Sequence, residues 1–112
     1  MLSHKYRATR VNIEETSKTG VSIFGKYLYA KVSKKETDKA GFAIVVSKKI
    51  EKTSVGRHQI KRKISSYIEK SLPNISLDFK KTIIFFVKKI EKPLTYKDVE
   101  KDVDFVLKKV AF

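Results

Sequence analysis

Between Lys26 and Ser33 (KYLYAKVS) apolar and polar positions alternate, with Leu28, Ala30 and Val32 on one face and Tyr27, Tyr29 and Lys31 on the other. Period two is the mark of a half-buried strand. Lys34 to Ala40 (KKETDKA) is polar throughout and reads as a hairpin loop. Phe42 to Ser47 (FAIVVS) is almost continuously apolar, as in a central strand covered on both faces. The period then lengthens. From Ser54 or Val55 to Leu72 the apolar positions are Ile60, Ile64, Tyr67, Ile68 and Leu72, the spacing of a helix with one core-facing stripe. Thr82 to Lys88 (TIIFFVK) is a further apolar strand. Pro93 turns the chain, and Thr95 with Asp98 resembles a capping box with Asp in place of Glu. The helix that follows carries Val99, Val103, Val106, Leu107 and Val110 on one side. Upstream, Asn12 is expected to cap a short helix through Thr19, with Gly20 ending it.

The resulting order is αββαβα, a small sheet covered by helices in an α+β sandwich. The step from the second strand through the long helix to the third is a crossover, which requires a parallel pair. No repeat, linker or low-complexity block divides the chain, so residues 1–112 are expected to form one domain, with residues 1–11 flexible.

Composition narrows the chemistry. The chain has no cysteine, which removes thiolate metal sites and cysteine nucleophiles and fits a reducing compartment. No stretch approaches the roughly 20 apolar residues of a membrane span, and the first residues lack the apolar run of a secretory signal. A soluble cytoplasmic protein is the expectation. Lys and Arg number 26 against 12 Asp and Glu, a net charge of +14. Such an imbalance makes the compact state repel itself, and a polyanion relieves it through phosphate contacts and counterion release.

The charge is concentrated. Between Ser47 and Lys63 lie Lys48, Lys49, Lys52, Arg57, Lys61, Arg62 and Lys63 against the single acid Glu51. This is the junction of the central strand with the long helix. Cations at a helix N-terminus oppose its dipole and cost about 0.3–1 kcal/mol each. Stability alone favours acids there, so the pattern points to an anionic ligand. His58, Lys61, Arg62 and Ser65 fall on a flank and the outer face of the helix, and Arg57 at the edge of the apolar stripe. A second candidate surface is Tyr27, Tyr29 and Lys31, aromatic rings beside a cation, which suit stacking with unpaired bases. Equally, strands favour tyrosine for packing alone.

The segment VVSKKIEKTSVGRHQIKRKIS resembles the signature of the bacterial ribonuclease P protein subunit, approximately Val-Ser-Lys-Lys-Val/Ile-Gly-Lys, a short loop, and Arg-Asn-Arg-x-Lys-Arg-x-x-Arg on a helix. Val46, Ser47, Lys48, Lys49, Ile50 and Lys52 match the first half. Arg57, Lys61 and Arg62 match the second, given one extra loop residue. The departures are Glu51 for Gly, His58 for Asn, Gln59 for Arg and Ser65 for the last Arg. On the first helix Ile13 and Ser17 stand where the family usually has phenylalanines. The resemblance implies a ferredoxin-like or ribosomal-protein-like sandwich with a left-handed βαβ crossover, where physical rules alone favour the right-handed one. It implies that Lys48, Lys49, Lys52, Arg57, His58, Lys61 and Arg62 bind the catalytic RNA. It also implies that a cleft with Tyr27, Tyr29, Lys31 and nearby Phe24 receives the 5′ leader of precursor tRNA. Catalysis and its Mg2+ then belong to the RNA, and no catalytic or metal-binding side chain is expected in the protein.

Other readings start from the same residues. A protein nuclease needs positioned carboxylates or a general base. Here Asp98, Asp102 and, less closely, Glu100 are neighbours on one helix but are interleaved with Lys97 and Lys101, and they read as a solvated, ion-paired face. His4 and His58 alone do not build a metal site. A ribosomal protein or RNA chaperone shares the basic α+β pattern and is the main alternative. An acidic-membrane binder would need a helix with one basic and one bulky aromatic face, which neither long helix has.

Overall fold

The computed structural model describes residues 7–36, 40–47, 52–71, 80–88 and 96–110. In chain order the elements are α1 (Arg10–Thr19), β1 (Val21–Phe24), β2 (Leu28–Val32), β3 (Gly41–Val45), α2 (Ser54–Ser71), β4 (Thr82–Val87) and α3 (Tyr96–Val110). The α+β class and the succession of long elements agree with the sequence pattern. The sheet has one strand more. β1 is too short for a period to register, and most of it is exposed at the sheet edge.

The strands lie in the order β1-β2-β4-β3. β1 with β2 and β2 with β4 are antiparallel, and β3 with β4 is the parallel pair that the crossover requires. The expected hairpin between β2 and β3 does not form, because β4 is inserted between them, and β3, expected as a central strand covered on both faces, lies instead at the sheet edge with its last residues only partly buried or exposed. β4 is the most continuously apolar strand, and the central position covers it on both faces while pairing both of its edges.

One face of the sheet carries Leu28, Ala30, Val32, Phe42, Ile83, Phe85 and Val87, all buried against Ile64 and Ile68 of α2 and Val99, Val103, Val106 and Leu107 of α3. Each fully buried aliphatic side chain contributes about 1.5–3 kcal/mol, so this two-layer core fixes the sheet beneath the opposite face. α1 crosses that opposite face. Its cap is Thr9, whose Oγ1 accepts from Asn12 N at 3.2 Å. The helix therefore starts earlier than an Asn12 cap would allow. Ala8 N donates to Phe42 O (3.1 Å), and Gly20 closes against Thr16 O at 2.8 Å. α1 thus covers only the end of the face where β3 and β4 begin, and the other end stays open.

Asp102 corrects the expectation of a solvated acidic face. It is 5% exposed, and its carboxylate accepts from three backbone N–H groups, Lys26 (3.1 Å), Tyr27 (2.5 Å) and Leu28 (2.9 Å). The bend between β1 and β2 leaves these donors without a strand partner, and the carboxylate supplies one. Asp104 is likewise engaged: Tyr67 Oη donates to its Oδ1 at 2.6 Å. Burial, with that hydrogen bond and the nearby negative charge, pushes the Tyr67 hydroxyl up to about 12.

Among the described residues no helix is long and apolar enough to cross a membrane.

Candidate nucleic-acid interface

Sheet register builds the open end of the upper face. Phe24 is the cross-strand partner of Tyr29, Tyr29 of Phe86, and Phe86 of Val45. Side chains of paired residues stand on the same side of a sheet about 5 Å apart. The rings consequently form a row across three strands. Centroids are 5.7 Å apart for Phe24 and Tyr29 and 4.9 Å for Tyr29 and Phe86, with interplanar angles of 29° and 9°. Tyr29 therefore has a phenyl ring against each face. What it offers a ligand is its edge and hydroxyl. The freely accessible ring is Phe24, 63% exposed. Lys88 caps the row: its Nζ lies 5.4 Å from the Phe24 centroid and donates to Gly25 O at 2.6 Å. An aromatic surface with a cation at its end accepts unpaired bases and their phosphates.

The other expected members of this surface divide. Lys31 shares the face with Tyr29, but its Nζ donates to Ser17 O at 2.8 Å and ties the end of α1 to the sheet. Tyr27 precedes β2, at the bend held by Asp102, where the alternation read from the sequence breaks. Its ring packs on the core cluster, with Lys26 Nζ 5.2 Å from its centroid. Phe86 and Lys88 were not singled out by sequence. Parity within TIIFFVK puts Phe86 opposite Ile83 and Phe85, but only pairing with β2 reveals that it meets Tyr29.

The basic junction lies at the same end of the sheet, for a topological reason. β3 runs parallel to β4, so both finish beside the aromatic row, and β3 leads into α2. Thr53 caps α2 by accepting from Gly56 N at 3.0 Å, and the first turn has no acid. Arg57 folds back over this cap, donating from Nη1 to Lys52 O (2.9 Å) and from Nη2 to Ser54 Oγ (3.2 Å). It thereby fixes the approach of Lys52 to the helix. His58, Arg62 and Lys63 are exposed, and Lys61 is half-buried. Lys48 and Lys49 lie outside the described residues. Ser65, expected on the flank or outer face, is instead 2% exposed, because α2 leans on β3 along that side. Among the described residues no three His, Asp or Glu side chains converge as a metal site would require.

No curated protein sequence matches the chain. The fold is similar to that of the ribonuclease P protein of Staphylococcus aureus, with a TM-score of 0.76 at 23% identity over 96% of this chain and 95% of that one. It is also similar to the ribonuclease P protein of Thermotoga maritima, with a TM-score of 0.77 at 19% identity over 93% of this chain and 96% of that one. The family model described as Ribonuclease P matches residues 5–111, and the chain therefore belongs to the ribonuclease P protein family.

Proposed function

We propose that this chain is the accessory protein of a ribonucleoprotein endonuclease that matures the 5′ end of tRNA, and that it works by binding two RNAs at once. The basic start of α2 docks on the catalytic RNA through Lys52, Arg57, His58, Lys61 and Arg62, together with Lys48 and Lys49. The row Phe24–Tyr29–Phe86, with Lys88, takes the single-stranded 5′ leader of precursor tRNA. The observation that carries this reading is that an aromatic row and a cation-rich helix start lie at one end of one sheet. The two surfaces suit different partners. Point charges on a helix engage the phosphates of folded RNA whatever its sequence, whereas exposed ring surfaces need unpaired bases.

In this reading the RNA carries the cleavage chemistry and its magnesium. The protein contributes binding free energy and neutralises phosphate charge where the two RNAs approach, which lowers the magnesium needed to hold them together.

The test is cleavage of a precursor tRNA by the cognate catalytic RNA at low magnesium, with and without the protein. Correct 5′ maturation that depends on both is the expected result. Tight RNA binding without stimulation would instead make the chain a general RNA-binding protein of the ribosomal or chaperone kind.

A further inference from the structure

A groove of about 260 Å³ runs along the outer edge of β3, on the far side of that strand from β4. Its lining is largely apolar, with Ile13 from the α1 side and Phe42 and Ile44 from the strand. Arg7 and Lys61 also line it, and Ser65 forms part of its wall. Lys61 has no ion-pair or hydrogen-bond partner among the described residues.

The strand edge gives the groove direction. Gly41 N donates inward to Lys81 O, while Phe42 O accepts from Ala8 N on the outer side. In a strand these directions alternate, so the N–H and C=O of Ile44 point outward too. The chain that covers Phe42 leaves the edge at Thr9 to begin α1, and among the described residues no hydrogen bond crosses from Ile44 to it. One donor and one acceptor thus stand side by side in an apolar groove, with Arg7 and Lys61 among the residues that line it. The edge of a nucleobase offers the complementary donor and acceptor, its faces are apolar, and its phosphate is anionic. The volume lies below the roughly 300–1,000 Å³ of sites for drug-sized ligands, which suits one nucleotide and no more.

Ser65 is the small side chain in the α2 wall of the groove. The motif that this chain resembles has Arg at the corresponding place. Here the side chain is small and 2% exposed, and the long guanidinium stem is missing from the wall.

Resting on the RNA-binding reading above, we propose that the β3-edge groove holds a single unpaired nucleotide of a bound RNA. Its base lies on Ile13 and Ile44 and hydrogen-bonds the Ile44 backbone, and its phosphate lies between Arg7 and Lys61. This site is separate from the aromatic row, which occupies the open upper face.

The experiment is an amide NMR titration of the intact protein with adenosine 5′-monophosphate and, separately, with ribose 5-phosphate. Binding of precursor tRNA is measured on the same sample. The expected result is a saturable shift at Ile44, Ala8 and Lys61 with the nucleotide, and at least about tenfold weaker binding of the sugar phosphate, about 1.4 kcal/mol. Equal responses to the two ligands, or nucleotide shifts confined to Tyr29 and Phe86, would overturn the pocket. If precursor tRNA binds while Ile44 stays silent, the pocket alone is rejected; if precursor tRNA does not bind either, the reading it rests on fails as well. A Ser65→Arg variant, once its spectrum shows a folded protein, sharpens the sign. It adds a positive charge yet fills the groove, so nucleotide affinity should fall at least about tenfold. A rise would mean that charge alone governs binding there.

Discussion

Removing the Asp102 carboxylate should loosen the β1–β2 bend and much of the domain with it. Three backbone donors converge on this one group, and Leu28 is fully buried. A hydrogen bond to a charged acceptor is worth about 1.5–3 kcal/mol net, and a buried donor left alone costs about 1–3 kcal/mol. Lys26 is exposed and regains water, so Asp102→Ala strands two donors and should cost about 3–5 kcal/mol. Asp102→Asn can keep its oxygen where Oδ2 now serves Tyr27 and Leu28. It then turns an amide N–H toward Lys26 N, for a smaller loss of about 1–3 kcal/mol. Against a total stability of about 5–15 kcal/mol the first change is severe. Urea unfolding followed by far-UV circular dichroism measures both. With a slope near 1.5 kcal/mol/M, the Ala midpoint should fall by about 2–3 M. An Ala variant within about 0.5 kcal/mol of the parent would refute the assignment, as would an Asn variant less stable than the Ala one.

Three further outcomes are expected. Tyr29→Ala removes the ring that backs Phe24 and the hydroxyl at the edge of the row, so it should weaken binding of leader-bearing precursor tRNA more than that of mature tRNA, by about tenfold, about 1.4 kcal/mol; equal losses on the two would remove Tyr29 from the leader site. Arg62→Glu should lower RNA affinity across sequences and reduce the slope of log affinity against log salt by about one, and an unchanged slope would mean that this side chain meets no phosphate. The Tyr67 hydroxyl, held up to about 12 when folded, keeps its proton where the unfolded chain at about 10 loses it. Its contribution is therefore complete below pH ~10 and lost as pH rises toward ~12. Tyr67→Phe should lack that loss, and a stability difference between variant and parent that stays constant across this window would contradict it.

Most of the framework was legible because burial leaves a period in the sequence. Leu28, Ala30 and Val32 announce a strand with one buried face, and Ile64 with Ile68 and Val99 with Val103 announce helix stripes. The charge at the start of α2 was legible for the opposite reason, since cations there oppose the helix dipole. What escaped depends on pairing between distant segments. The place of β4 between β2 and β3 is invisible locally, and with it the meeting of Tyr29 and Phe86. Asp102 sits among lysines and looks solvated, but the donors that bury it come from 74 to 76 residues earlier in the chain. Tyr27 obeys the strand alternation on paper and departs from it because that same carboxylate bends the chain beneath it. Ser65 reads as a helix flank, and only the lean of α2 on β3 closes it off.

The insertion of β4 also bears on synthesis. β1, β2 and β3 are complete by Val45, yet β3 has no strand partner, and β2 none on its β4 side, until Thr82–Val87 arrives between them. A nascent chain therefore carries apolar strand edges without partners through the making of all of α2. The ring of Phe86 comes only with that last strand. A prematurely terminated product lacking β4 would have the cations of α2 but neither the aromatic row nor a closed sheet. It would be a sticky polycation able to meet RNA without the surface that selects a single strand, and a cell gains by degrading it quickly.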